Sequence, residues 1–106
     1  MTRLHQVIAR NVRQARKRAG LSQADVATRC GFSDSYMSEI ERGRTNPSTE
    51  VLERIAQTLG LRPYQLLLEE EEWEIRDRLE TVTSMYTDLK NGLNSVLDEA
   101  LRRHTK

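Results

Sequence analysis

Between Ser33 and Asn46 the chain sets hydroxyls, carboxylates and guanidinium groups at close spacing: Ser33, Asp34, Ser35, Tyr36, Ser38 and Glu39, then Arg42, Arg44, Thr45 and Asn46. Arg42 and Arg44 supply fixed positive charge and planar N–H forks, which suit oxyanions such as phosphates. The serines supply short donors and acceptors that let a backbone come close to a flat hydrogen-bonding surface. This is recognition chemistry, and catalytic chemistry has no comparable foundation. His5 and His104 stand at opposite ends of the chain, and no metal-ligand spacing joins them to Cys30. Neither a phosphate-cradling glycine loop nor a nucleophile signature occurs. A protein without enzymatic activity, metal or cofactor is expected.

A short polar helix with a charged loop behind it needs other elements to hold it. The 106 residues are 37% hydrophobic and 31% charged, which suits one small domain plus an extra element. Residues 1–66 carry 11 basic against 6 acidic side chains (+5), and residues 67–106 carry 6 against 10 (−4). Only the first part therefore favours an anionic partner. Cys30, the single cysteine, excludes an internal disulfide and reads as a small buried hydrophobe rather than a redox switch. No apolar run is long enough for a signal peptide or a membrane span, so a reducing cytoplasm and no membrane partner are expected.

No alternating run of β-branched residues occurs, and the expected fold is all-α. Leu4, Ile8, Val12, Ala15 and Ala19 recur at helical spacing up to Gly20 and predict helix one. Ser22 caps a second helix, with Asp25 in its first turn, Val26 and Ala27 facing inward and Gly31 at its end. Ser33 caps a third, which buries Met37 and Ile40 and closes at Gly43. Ser48 caps a fourth, with Val51, Leu52, Ile55, Ala56 and Leu59 as its apolar face before Gly60. Pro63 suits the first turn of a fifth, bearing Leu66 and Leu67. Helices two and three, joined by Gly31 and Phe32, cannot enclose a core alone and need the flanking helices over their apolar sides.

Over roughly residues 4–68 the sequence resembles the lambda-repressor-like, Xre-type helix-turn-helix DNA-binding family, through RKRAGLSQADVA, GFSDSYMSEIERGRTNPS and LERIAQTLGL. The resemblance implies a five-helix domain over residues 1–68, with helix three in the major groove of double-stranded DNA and its first turns on base edges. Carried over position by position, it assigns Asp34, Ser35, Tyr36, Ser38 and Glu39 to base contact. Gln23, Ser33, Arg42, Arg44, Thr45 and Asn46 are assigned to phosphates. Some of these keep a second reading. The carboxylates of Asp34 and Glu39 repel phosphate and among bases mainly accept from cytosine N4; Asp34 equally supports the helix dipole. Tyr36 is bulky for its position and either touches a sugar or thymine methyl group or packs against the fourth helix. Glu41 lies on the inner side of helix three, where an unpaired charge is costly, and the resemblance supplies Arg16 as its partner in a structural ion pair.

Residues 69–106 follow a different rule. Ile75, Leu79, Val82, Tyr86, Leu89, Leu93, Val96 and Ala100 are spaced 4-3-4-3-4-3-4, a heptad repeat. The run EEEEWE at 69–74 reads as charge at a helix N-terminus. The heptads keep their phase across Asn91-Gly92, so one long helix is expected, and with no glycine or proline between Pro63 and Gly92 helix five can run straight into it. The stripe, widened by Met85, Leu97 and Leu101, must bury itself: against copies of this chain, against another protein or, with Trp73, on the N-terminal domain. Leu79 and Leu93 at a, with Ile75, Val82 and Val96 at d, turn the preference away from parallel two-stranded coils towards an antiparallel pair or a larger bundle.

The reading that results is a homo-oligomeric, sequence-specific transcriptional regulator, a repressor at a palindromic operator, with two reading helices about 34 Å apart on one face of DNA. The alternative is an interaction module whose C-terminal helix holds a partner such as a toxin or a polymerase subunit, with DNA contact secondary.

Overall fold

The computed structural model describes residues 2–104. Thr2 starts the first helix, α1 (Arg3–Arg18): its hydroxyl accepts from the His5 N–H at 3.2 Å, and His5 Nδ1 accepts from the Thr2 N–H at 3.4 Å. The same device opens α2 (Gln23–Cys30), where Ser22 Oγ accepts from the Asp25 N–H at 3.0 Å and Asp25 Oδ2 from the Ser22 N–H at 2.9 Å. Ser33 caps α3 (Asp34–Glu41) through the Tyr36 N–H, and Ser48 caps α4 (Thr49–Thr58) through the Val51 N–H. Each of these four helices ends at a glycine of positive φ, with the next amide reaching back five residues: Leu21 to Arg16, Phe32 to Ala27, Arg44 to Glu39 and Leu61 to Ala56. The chain therefore turns sharply after every helix.

The Ser22 backbone N–H and hydroxyl hold the Asp25 carboxyl below its ordinary value, with Arg29 adding a smaller pull. A carboxyl depressed on folding stabilises the fold above its unfolded value, and that contribution is lost as pH falls through the folded one. Thermal midpoints measured down to acid pH should thus fall less steeply for Asp25→Asn than for the wild type.

The turns gather one core. Ile8, Val12, Val26, Met37, Ile40, Ile55 and Leu66 are buried in a single cluster with Ala27, Cys30 and Ala56. Cys30 packs here, with Sγ 3.3 Å from Thr58 Oγ1. Val51, Leu52 and Leu59 of α4 lie partly buried against this cluster. Three members of the expected α1 stripe are not part of it: Leu4 is 52% exposed, Ala15 is half-buried and Ala19 is exposed.

The fifth helix is present with Pro63 in its first turn, but its form and length differ from expectation. Pro63–Leu67 is a 3₁₀ turn, not an α-helix, and it does not continue into the heptads: Leu68 is extended (φ −72°, ψ 134°). Asn11, a buried polar residue on α1, meets the chain at this break. Its Nδ2 donates to the carbonyls of Leu66 and Leu68, each at 2.8 Å, with Gln65 at 3.5 Å. The carbonyls left open where the 3₁₀ helix stops are thus paired inside the fold. Leu66 is buried, but Leu67 points outward at 44% exposure. Glu69 closes this part of the chain with a forked contact to Arg3 at 2.6 and 3.2 Å, which lowers its carboxyl below the ordinary value.

Contacts divide the chain into two units after Glu69. The second is one helix, α5 (Glu70–His104), unbroken through Asn91 and Gly92, with three glutamates in its first turn and Arg102, Arg103 and His104 in its last. No described residue of α5 is buried. No helix among the described residues is long and apolar enough to cross a membrane.

Candidate nucleic-acid interface

The turn between α2 and α3 consists of Gly31, Phe32 and the Ser33 cap. Gly31 adopts φ 74°, which a side chain would disfavour, and this lets the chain reverse within so few residues. Phe32 lies partly buried against the core and meets the Tyr36 ring edge-on, centroids 5.2 Å apart and planes at 86°.

Along α3 the residues separate by face. Met37, Ile40 and Glu41 are buried at 0%, 1% and 2% exposure. Ser35, Ser38, Glu39 and Arg42 share the opposite face, at positions i, i+3, i+4 and i+7, with Asp34 beside them at the N-terminus. Asp34, Ser35 and Arg42 are exposed, whereas Ser38, Glu39 and Tyr36 are half-buried. Tyr36 is thus tied into the turn by Phe32, which limits how far its ring reaches outward.

A buried carboxylate fixes this helix. Glu41 Oε2 accepts from Arg16 Nε at 2.8 Å and Oε1 from Arg16 Nη2 at 3.0 Å, a two-bonded fork between α1 and the last residue of α3. The remaining Arg16 amino group donates to the Leu21 carbonyl at 3.0 Å, tying the α1–α2 turn to the same guanidinium. Arg13 Nη1 donates to the Glu41 carbonyl, placing a second cation at the negative end of the α3 dipole. Neither Arg13 nor Asn11 was among the candidate residues that the sequence offered. For Asn11 the available signal was a polar residue on the apolar face of α1, three positions after Ile8 and beside Val12; such a residue must find internal partners.

After α3, Gly43 (φ 69°) turns the chain into a loop where Arg44 and Asn46 are exposed and Thr45 is half-buried. Pro47 is buried and anchors the loop before the Ser48 cap. On α2, Gln23 is half-buried at the first position after its cap. The N-terminal unit therefore carries a helix with a short polar outer face, the capped N-termini of α2 and α3, and an arginine-bearing loop. Positive helix ends and guanidinium groups suit phosphate oxygens, and hydroxyls and a carboxylate at helical spacing suit base edges. Among the described residues no group of histidine, cysteine and carboxylates could hold a metal ion.

Residues 7–68 match the family described as helix-turn-helix domain. The HTH-type transcriptional regulator y4dJ of Sinorhizobium fredii is 38% identical over 64 residues, which span 60% of this chain and 83% of that protein. The crystal structure of the hypothetical transcription factor NHTF from Neisseria matches with TM-score 0.62 at 37% identity, covering 74% of this chain and 84% of the other. SinR of Bacillus subtilis is 36% identical over 76 residues, 71% of this chain and 68% of SinR. SinR, described as the master regulator for biofilm formation, matches in complex with DNA with TM-score 0.55 at 37% identity, over 57% of this chain and 98% of the other. The SinR–SinI protein complex matches with TM-score 0.56 at 31% identity, over 93% of this chain and 99% of the other.

Proposed function

The chain belongs to the Xre-type helix-turn-helix family of DNA-binding transcriptional regulators, and from that premise we propose that it is a repressor which reads a palindromic operator as a homo-oligomer. Residues 1–68 form the DNA-binding domain and 69–106 the oligomerisation helix. The observation that carries this reading is the asymmetry of α3, anchored by Glu41 within the fold while Ser35, Ser38 and Glu39 face away from the core. Those residues, with Asp34 and Tyr36 at the helix start, meet base edges; Ser35 and Ser38 are small enough for close approach, and Glu39 accepts from cytosine N4. Gln23, Ser33, Arg42, Arg44, Thr45 and Asn46 hold phosphates on either side and set the register. Bound at an operator, such a protein acts by excluding other proteins from it.

A second reading draws on α5. Its apolar stripe is exposed, and the SinR–SinI complex is a neighbour in structure, so a protein partner held by α5 is the alternative occupant.

Selection of bound duplexes from random DNA at two salt concentrations tests the proposal. One inverted repeat is expected, with affinity falling steeply as salt rises. Arg44→Ala should weaken binding to all sequences alike and reduce the salt slope by about 1, whereas Ser35→Arg should change the recovered motif. Salt-sensitive binding without any motif would overturn sequence reading, and a single unrepeated half-site would overturn the palindrome.

A further inference from the structure

Of the large hydrophobic side chains that the chain leaves exposed, Leu4, Tyr64 and Leu67 are the only ones among the described residues outside α5. Leu79, Tyr86, Leu89 and Val96, for instance, are 62%, 66%, 74% and 64% exposed on the heptad face. A stripe of this length is not left in water. Its polarity identifies the occupant: α5 begins with Glu70, Glu71 and Glu72 and ends with Arg102, Arg103 and His104. Each end complements the other, so the surface that fits this helix best is the same helix reversed.

We infer that two copies of α5 pair antiparallel, centred between Thr87 and Asp88; the inference rests on the homo-oligomer proposed above and adds its geometry. In that alignment every a position faces a d position of the partner, Leu79 against the partner's Val96 and Tyr86 against the partner's Leu89, without a mismatch from Ile75 to Ala100. Just beyond the stripe, Glu72 faces the partner's Arg103. On the flank, Arg78 faces the partner's Glu99, and the two-fold axis makes each of these contacts twice. Glu99 bonds Arg103 within the helix at 2.9 Å, an exposed contact free to exchange for the partner's Arg78. A parallel pair in register would instead set the two glutamate-rich starts side by side, with Glu72 against Glu72 and Arg103 against Arg103.

Gly92 gives a separate indication. A glycine inside a helix is unfavourable, and a Cβ built there meets nothing within 4 Å, so the single chain gives no reason for it. In the antiparallel pair Gly92 faces the partner's Met85, whose side chain fills the space that a Cβ would take. Each reading unit then joins the pair from an opposite end.

Disulfide trapping tests the direction, with the wild type as control because its Cys30 is buried. Leu79→Cys chains mixed with Val96→Cys chains should oxidise into mixed dimers. Val96→Cys alone should not cross-link, its two sulfurs lying roughly 25 Å apart along the helices. Sedimentation of the reduced proteins should give twice the chain mass. Arg78→Glu should raise the dimer dissociation constant several-fold, and adding Glu99→Arg should restore it; this charge exchange needs no cysteine and covers any failure of the trapping variants to pair. A dimer in which Val96→Cys links to itself would overturn the antiparallel direction while leaving the oligomer intact. A mass of one chain at micromolar concentration would overturn both, and a tetramer would overturn the two-helix pair.

Discussion

Arg16→Met is expected to destabilise the N-terminal unit by about 3–5 kcal/mol, a large share of what holds any small domain together. Glu41 is 2% exposed and Arg16 15% exposed, so water cannot replace the guanidinium once it is removed. The variant would keep a buried carboxylate with both oxygens stripped of their donors, and the Leu21 carbonyl would lose its donor as well. Removing the second charge should reverse most of the loss. In Arg16→Met/Glu41→Leu nothing charged remains to be desolvated, and the Arg13 bond to the Glu41 carbonyl survives because it uses backbone. Urea titrations of the wild type, both single variants and the double variant form the cycle that measures the coupling. If Arg16→Met lies within about 0.5 kcal/mol of the wild type, the range of ordinary surface changes, the pair holds nothing. The cycle also separates structure from recognition. Arg16 and Glu41 act by holding α3 against α1, so the double variant should recover DNA binding along with its fold, which a residue touching DNA could not do.

The parts of the fold legible in the sequence are those fixed by local chemistry. Ser22, Ser33 and Ser48 cap helices because a hydroxyl reaches an amide three residues on, and Gly20, Gly31, Gly43 and Gly60 end them because φ near 70° suits glycine. Periodicity found the faces of α1 and α4 but not how far their neighbours extend, which is why Leu4 and Ala19 read as core and lie outside it. The carbonyls at the break before α5 are satisfied by Asn11, more than 50 positions earlier in the chain. No rule based on nearby residues carries that pairing; the local signals at Pro63–Leu67 give a helix but not its 3₁₀ form or its length. The site divides in the same way. Its outward residues follow from helical spacing, the partner of Glu41 came from family resemblance, and the edge-on contact that draws Tyr36 into the turn depends on how Phe32 packs.

The second large effect concerns α5. Leu79→Asp/Leu93→Asp is expected to lower affinity for a full inverted repeat by at least about 100-fold, the lower end of what joining two binding units contributes. Affinity for a single half-site should stay unchanged. The reason lies in where the residues sit: Leu79 and Leu93 are 62% and 58% exposed and belong to the unit that begins at Glu70, while the core that positions α3 is made by residues between Ile8 and Leu66. The reading unit should therefore keep its thermal midpoint. Added negative charge could weaken DNA binding without any change in pairing, so Ser84→Asp/Ser95→Asp is the matched control. It introduces the same charge at exposed positions outside the heptad stripe and should leave full-site affinity close to the wild type. Fluorescence anisotropy on full-site and half-site duplexes reads all three proteins. Loss confined to the full site assigns α5 to joining two reading units, because only simultaneous engagement of two half-sites is sensitive to it. Full-site affinity unaltered by both aspartates would mean that the stripe is covered by something other than a second copy, and a protein partner would become the reading to pursue.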